Sequence, residues 1–170
     1  MELKDYIRDI PDFPVTGILF RDITPLLKEP SAFKETIDRL VAHYEGVDVD
    51  AIVGIDARGF LLAAPLGLLM RKPIVPIRKE GKLPYKTHRV TYQLEYASDT
   101  VEVHQDAIRV GDRVLIVDDL LATGGTMAAA TRLVEQVGGH VASLAVLVEL
   151  TDLNGRDRLE GYDIHSLIQF

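Results

Sequence analysis

The chain has 170 residues, a formal net charge of −7 and no cysteine. This length suits one domain with a sizeable core, and the absence of cysteine excludes disulfides and thiolate zinc sites. The acidic balance argues against a general nucleic-acid binder. The longest apolar stretch, residues 60 to 70, is far shorter than the ~20 residues that cross a bilayer. The sequence therefore predicts a soluble cytoplasmic protein with neither nucleic acid nor membrane as a partner.

Apolar runs and helical stripes alternate along the chain. Residues 31 to 46 carry apolar side chains at helical spacing, and helical stretches also precede Met70 and Gly138. The predicted strands are AIVGI (51 to 55), PIVPI (73 to 77), VLIVDD (114 to 119) and HVASLAVLVEL (140 to 150). Strands without two-residue alternation are buried on both faces. We therefore expect an α/β fold, in which a mainly parallel sheet carries helices on both faces.

A different pattern lies between the second and third of these strands. Residues 91 to 97 and 100 to 104 alternate between polar and apolar side chains on either side of Ser98 and Asp99. This pattern predicts an antiparallel hairpin that turns at Ser98–Asp99 and projects from the main sheet.

Two polar segments, DARG (56 to 59) and DDLLATGGT (118 to 126), follow predicted parallel strands. Such segments meet in one crevice beyond the carboxyl ends of the strands. The turn from Thr123 to Thr126 offers backbone amides, hydroxyls and the start of a helix, which suit a phosphate. Asp118 and Asp119 can accept hydrogen bonds from a diol, so ribose 5-phosphate fits both halves. Alternatively, the acids only solvate the strand end and the glycines only turn the chain.

Residues 71 to 89 hold seven Lys or Arg and one Glu. In an acidic chain this segment is either a local anion site or a solvated basic loop.

The string VLIVDDLLATGGT resembles the phosphoribosyl-diphosphate motif of the type I phosphoribosyltransferases. Further segments look like successive signatures of the adenine phosphoribosyltransferases, and they lie at residues 13–27, 54–63, 77–84, 94–108 and 147–153. The resemblance covers nearly the whole chain. Departures at Thr16, Glu80 and Ala97 affect the geometry of the loops and the hairpin.

The resemblance implies a type I phosphoribosyltransferase fold in a single domain over residues 1–170. It places a base-binding hood within residues 1–30 and a lid loop with its hairpin at residues 79–104. The implied reaction transfers 5-phosphoribosyl from phosphoribosyl diphosphate to adenine, giving AMP and pyrophosphate in purine salvage. The implied cofactor is Mg²⁺, and the implied assembly is a homodimer.

The resemblance also implies roles for individual residues. Asp118 and Asp119 hold the ribose hydroxyls and reach the metal indirectly, through ligand hydroxyls or water. The 5-phosphate is wrapped by Ala122, Thr123, Gly124, Gly125 and Thr126. The pyrophosphate is held by Arg58, Arg78, Lys79 and Lys82, the last three from the loop that precedes the hairpin. The catalytic residues are Glu95, which handles a proton of the purine, together with Arg58 and Lys82.

The adenine site is implied at Leu19, Phe20 and Arg21, where the phenyl ring stacks on the base and the flanking backbone reads its edge. From the residues alone, Phe20 can equally be a core residue, Arg58 a surface arginine and Glu95 a solvent-facing strand residue. Two alternative functions remain: a sister transferase for xanthine, hypoxanthine or guanine, and a non-enzymatic regulator that senses phosphoribosyl diphosphate.

Overall fold

The computed structural model of the chain describes residues 1–94 and 97–170, in two compact units of residues 1–43 and 44–170. The first unit contains β1 (Arg8–Pro11), β2 (Leu19–Asp22), α1 (Thr24–Lys28) and α2 (Pro30–His43). The second contains β3 (Ala51–Ile55), α3 (Gly59–Met70), β4 (Ile74–Lys79), β5 (Thr87–Gln93), β6 (Ser98–His104), β7 (Arg113–Leu121), α4 (Gly125–Gln136), β8 (His140–Glu149) and β9 (Ile164–Gln169). The prediction of one domain over the whole chain stays a prediction.

The N-terminal unit combines a small sheet with two helices. Strands β1 and β2 pair antiparallel, with Ile10 opposite Phe20. Helix α2 begins at Pro30, a position where a missing N–H costs nothing, and buries Ile37 and Leu40 on one face. The predicted helix is confirmed, although it ends at His43, before the predicted residue 46.

The larger unit is built on a seven-stranded sheet with the order β5-β6-β4-β3-β7-β8-β9. Strands β4, β3, β7, β8 and β9 run parallel, whereas β6 runs antiparallel to both of its neighbours, β4 and β5. The chain moves in one direction along the sheet from β3 to β4 and in the other from β7 to β8. Since crossovers between parallel strands follow a right-handed rule, these opposite directions put α3 and α4 on opposite faces of the sheet. The predicted fold class is confirmed.

Strands β3, β7 and β8 are largely buried, as their apolar runs predicted, whereas β4 alternates between exposed and buried residues, which corrects its prediction as a strand buried on both faces. Every residue of β3 is buried, and helix α3 packs closely on this strand because a Cβ at Gly54 would lie only 2.8 Å from the Cβ of Ala63. Gly59, the first residue of α3, lies equally close to β7, since a Cβ there would be 2.8 Å from the Val117 carbonyl oxygen. The start of α3 is thereby fixed beside the end of β7. None of the described helices has the length and hydrophobicity needed to cross a lipid bilayer.

The hairpin has a different register from the predicted one. Tyr92 lies opposite Asp99 and Gln93 opposite Ser98, so Ser98 and Asp99 belong to β6 and do not form the turn. The alternating pattern cannot locate the turn because it repeats every two residues on either side of it. Strand β6 pairs with β4 only near Lys79, at the end of β4. The first residues of β6 therefore extend beyond the carboxyl end of β4.

A buried carboxylate joins β8 to the last strand, which the sequence reading did not predict. Glu149 accepts hydrogen bonds from Arg156 Nε and Nη2 at 2.7 and 2.8 Å and from Ser166 Oγ at 2.7 Å. The Arg156 hydrogen bonds lower the pKa of Glu149 to about 2. The ion pair holds Arg156 in the segment between β8 and β9, and the Ser166 hydrogen bond joins β9 itself to the end of β8.

Glu149→Gln is therefore expected to lower the free energy of unfolding by about 2 kcal/mol at pH 7, because it removes a charge-assisted pair from a buried site. The folded-state pKa is depressed, so the stabilisation is present above the unfolded pKa of about 4.3 and is lost as the pH falls towards 2. Urea unfolding between pH 7 and pH 2.5 measures the gap between parent and variant. The difference in unfolding free energy between parent and Glu149→Gln should become smaller as the pH falls. The control variant Glu160→Gln, at an exposed position, should unfold with the same free energy as the parent. A difference that does not change with pH would contradict the stabilising role of the ionised Glu149.

Candidate active site

The candidate site is a cavity of about 260 Å³ at the carboxyl ends of β3 and β7. These strands are neighbours in the sheet, and their crossovers leave in opposite directions, which opens a crevice between the loops that follow them. Residues 56–58 and residues 118–127 line the cavity. The structure thus brings the DARG and DDLLATGGT segments together around one space.

The glycine-rich turn forms the wall at the start of α4. Gly124 has φ +85°, in the left-handed region, and a Cβ on it would lie 2.4 Å from the Gly155 carbonyl oxygen. Only glycine meets both conditions. The turn delivers the chain into α4 at Gly125, and the first amides of a helix have no intrahelical acceptor. The wall therefore presents N–H groups and the positive end of the helix dipole to the cavity.

The two acids lie on β7 itself, before the strand ends at Leu121. Asp119 is buried, and its carboxylate lies 2.9 Å from Arg58 Nε. Asp118 accepts a hydrogen bond from the Asp119 backbone N–H at 2.8 Å. Burial, and next the neighbouring Asp119 carboxylate, raise the pKa of Asp118 well above its ordinary value. A ligand that brings hydroxyl donors or positive charge to Asp118 would favour its ionised form.

Arg58 lies just before α3, with a half-exposed side chain beside the cavity. Its position follows from the close contact of Gly59 with β7, which brings the guanidinium to Asp119. The guanidinium carries five N–H donors in one plane, so the contact through Nε is compatible with binding an anion through the others.

The basic residues of the predicted loop are divided between a strand and a loop. Arg78 and Lys79 are the last residues of β4, which corrects their prediction as loop residues, because pairing with β6 extends the strand. Arg78 Nε and Lys82 Nζ lie 3.4 and 3.3 Å from the buried Asp56 carboxylate. The Lys79 backbone N–H donates to the same oxygen at 3.3 Å.

Asp56 is therefore the residue that gathers this basic cluster, and the sequence reading gave it no role. Burial raises the pKa of Asp56, but the Lys79 N–H and the Lys82 ammonium outweigh it, so the pKa lies below its usual value. Its place directly after β3 was a usable signal, because β4 ends at the same edge of the sheet with two basic residues.

Lys79 does not join the others around Asp56 with its side chain. Its ammonium pairs with Asp99 on β6 and lies 3.4 Å from the Tyr92 hydroxyl. The same hydroxyl lies 3.1 Å from Thr126 Oγ1, at the start of α4. These contacts join the hairpin to the glycine-rich turn. These contacts could not be predicted from the sequence, because the register of the hairpin determines which side chains lie next to each other.

The remaining predicted site residues lie elsewhere. Glu95 falls outside the described residues. Leu19, Phe20 and Arg21 lie on β2 of the N-terminal unit. The Phe20 ring is partly buried and contacts the exposed Phe13 edge to face, with centroids 5.1 Å apart. The Arg21 side chain pairs with Asp9.

Comparison with known proteins gives one consistent result. The phosphoribosyl transferase domain family model matches residues 26–167. An adenine phosphoribosyltransferase of Thermotoga neapolitana is 56% identical over 170 residues, covering 100% of both chains. The crystal structure of adenine phosphoribosyltransferase from Thermoanaerobacter pseudethanolicus has a TM-score of 0.97 at 53% identity, covering 99% of this chain and 98% of that one.

A second solved structure contains ligands. The adenine phosphoribosyltransferase of Saccharomyces cerevisiae, complexed with D-2,5-dideoxy-2,5-imino-altritol 1,6-bisphosphate and adenine, has a TM-score of 0.94 at 41% identity. The match covers 98% of this chain and 96% of the yeast chain. The resemblance noted in the sequence thus extends to fold and to full length.

Proposed function

Because this chain belongs to the adenine phosphoribosyltransferase family, we propose that it transfers 5-phosphoribosyl from phosphoribosyl diphosphate to adenine, giving AMP and pyrophosphate. The observation that carries the proposal is the single cavity that joins an amide-lined phosphate turn, two carboxylates and Arg58. The turn would hold the 5-phosphate, Asp118 and Asp119 the ribose hydroxyls, and Arg58 the pyrophosphate. Purine salvage in the cytoplasm is the expected setting.

The reaction is a substitution at the anomeric carbon through a cationic, oxocarbenium-like transition state. Negative charge builds up on the pyrophosphate oxygens as they leave. Fixed cations accelerate this step if they bind the pyrophosphate more strongly in the transition state than in the ground state. Arg58 and Lys82 are the cations for this role, since one borders the cavity and the other lies 3.3 Å from Asp56 on its wall. We assign residues 79–104 to a lid that excludes water from the cation.

The donor set of the cavity fits an indirectly held Mg²⁺. This ion keeps several waters and binds one or two carboxylates together with substrate phosphates. Among residues 1–94 and 97–170, no three His, Asp or Glu side chains converge as a metal cage. Asp118 and Asp119 would therefore reach the ion through ribose hydroxyls or water. The bound ion would neutralise charge on the pyrophosphate.

Adenine recognition is assigned to the hood, residues 1–30, and to Glu95. Leu19 and Arg21 are two residues apart on β2, so their backbone groups point to the same side of the strand. Such a pair can read the donor and acceptor on one purine edge. Phe20 would stack on the ring, and the Glu95 carboxylate would handle a ring proton.

The expected result with separate bases is AMP from adenine, and at least about tenfold less nucleotide from hypoxanthine or guanine. An oxo group in place of the amino group leaves a buried backbone group unpaired, at a cost of ~1–3 kcal/mol. Nucleotide formation with phosphoribosyl diphosphate and Mg²⁺ measures this preference. Equal use of an oxopurine would indicate one of the sister transferases. If no base gives a nucleotide product, the protein would be a non-enzymatic regulator.

We further propose that the protein is a homodimer that uses helix α3. One face of this helix packs on the sheet, yet Leu61, Ala64 and Leu68 form an exposed apolar stripe on another. The Leu68 side chain is 77% exposed. An apolar stripe of this kind is typical of a self-complementary interface.

Leu61→Glu together with Leu68→Glu is expected to convert the dimer to a monomer, because two charges would enter each copy of the apolar interface. Sedimentation equilibrium measures the mass of the particle. Val110→Glu is the matched control, since Val110 is exposed and apolar but lies in a turn. A monomeric parent, or a variant that stays dimeric, contradicts the assignment.

A further inference from the structure

The Tyr92 hydroxyl lies at the centre of a four-residue network in the larger unit. It lies 3.2 Å from Asp99 Oδ2, 3.1 Å from Thr126 Oγ1 and 3.4 Å from Lys79 Nζ. The Tyr92 side chain is buried, and its ring would lie 3.8 Å from a Cβ placed on Gly125. Strands β4, β5 and β6 and the first turn of α4 therefore meet at one phenol.

The donors and acceptors in this network can be assigned by counting protons. An ammonium only donates, so Lys79 donates to Tyr92. An ionised carboxylate only accepts, so Tyr92 gives its one proton to Asp99. Burial raises the pKa of Asp99, but the Lys79 ammonium, the Thr100 backbone N–H and the Tyr92 hydroxyl together outweigh it and keep the pKa below its ordinary value. With its proton committed to Asp99, Tyr92 must accept from Thr126. The chain of donors runs Thr126 to Tyr92 to Asp99.

A phosphate in the glycine-rich turn is incompatible with this direction. Phosphate oxygens at neutral pH mainly accept, so the Thr126 hydroxyl must turn its one proton towards the ligand. Thr126 Oγ1 and Tyr92 Oη would then face each other at 3.1 Å as two acceptors. That arrangement is unfavourable, and it is relieved if Tyr92 turns its proton from Asp99 to Thr126.

We propose that Tyr92 is a positioning residue that couples phosphate occupancy to the hairpin: a bound 5-phosphate reverses the donor chain, so Tyr92 donates to Thr126 and releases Asp99. This inference rests on the proposed function, which places the 5-phosphate in the turn at the start of α4.

The release of Asp99 by Tyr92 affects the hairpin that contains Glu95, the proposed proton-handling residue. Asp99 follows the first residue of β6, and residues 94–97, which include Glu95, connect β5 to β6. After the reversal Asp99 keeps Lys79 but loses Tyr92, so the end of the hairpin is held differently when the phosphoribosyl group is present. Turnover is thereby coupled to occupancy of the phosphate site through Tyr92 and Asp99.

The decisive experiment follows the Tyr92 hydroxyl directly by nuclear magnetic resonance of protein labelled with ¹³C at tyrosine Cζ. The chain has six tyrosines, and loss of one signal in Tyr92→Phe identifies its resonance. Saturating ribose 5-phosphate is expected to shift the Tyr92 resonance in the parent protein. It should not do so in Thr126→Val, where no hydroxyl at position 126 connects the phosphate to Tyr92. Tyr162, whose hydroxyl donates to Glu135 at 2.7 Å, is the internal reference.

Kinetics supply an independent readout. Tyr92→Phe keeps the packed ring, so we expect the dissociation constant of ribose 5-phosphate to stay within about threefold while kcat falls about tenfold. Tyr162→Phe removes a hydroxyl from the other end of α4 and should change neither.

The results separate the two proposals. If ribose 5-phosphate does not bind the parent protein, the phosphate site fails and the coupling with it. If it binds but the Tyr92 resonance does not move, or moves equally in Thr126→Val, only the coupling is overturned. A kcat for Tyr92→Phe within about twofold of the parent overturns it as well.

Discussion

Asp118→Asn combined with Asp119→Asn is expected to lower kcat/KM for phosphoribosyl diphosphate about 10³-fold, equivalent to ~4 kcal/mol of lost transition-state stabilisation. On the proposed assignment, the double change removes the two carboxylates that accept from the ribose hydroxyls; it also removes the buried ionic partner of Arg58, which lies 2.9 Å away. Asparagine has the same size, and the apolar run of β7 is untouched. Steady-state kinetics measure the effect, and circular dichroism checks that the fold survives.

An exposed aspartate provides the control for this result. Asp106→Asn makes the same chemical change at one position in the turn after β6, away from the cavity lining, and should leave kcat/KM unchanged. If the double variant keeps activity within about twofold of the parent, a cost under ~0.5 kcal/mol, the acids do not bind the diol. The two acids would then only solvate the end of β7, which is the alternative that the sequence left open.

Glu95→Gln is expected to lower kcat about 10²-fold or more with little change in KM. Glutamine keeps the size of the side chain but cannot take up a proton, so an effect confined to turnover is what a proton-handling carboxylate predicts. The proposal rests on the family resemblance, because Glu95 lies outside the described residues. Separate titrations of adenine and phosphoribosyl diphosphate distinguish kcat from KM.

Glu160→Gln is the matched control, since Glu160 is exposed and lies outside the cavity lining. Full activity in Glu95→Gln would mean that Glu95 is the solvent-facing strand residue that its alternation with Leu94 suggests. The family role would then not extend to this chain.

The fold and part of the site could be predicted from local pattern. A fully buried strand needs a continuous apolar run, as in AIVGI, and that need does not depend on which strands lie beside it. The glycine-rich turn is similar, because a left-handed residue directly before a helix demands glycine at position 124 wherever the turn lies. Patterns of this kind also placed DARG and DDLLATGGT at one edge of the sheet.

The sequence-based predictions were wrong where the structure depends on how neighbouring strands pair. The hairpin turn was placed at Ser98–Asp99 because alternation is the same on both sides of a turn. Arg78 and Lys79 were assigned to a loop, but pairing with β6 extends β4 to include them. The residue types at positions 78 and 79 do not indicate this pairing. Strand β9 was missed because its edge position leaves most of its side chains only partly buried.

The sequence by itself determined the class of fold and the place of the glycine-rich turn and of the two acids, since burial and backbone conformation constrain each short segment locally. Only the tertiary structure decided which polar groups meet: Asp56 with Arg78 and Lys82, and Tyr92 with Thr126. Tyr92 and Thr126 come from a hairpin strand and from α4, and no periodicity relates them. Their contact exists because strand register and helix packing bring two oxygens within 3.1 Å, a distance set by long-range contacts of the chain.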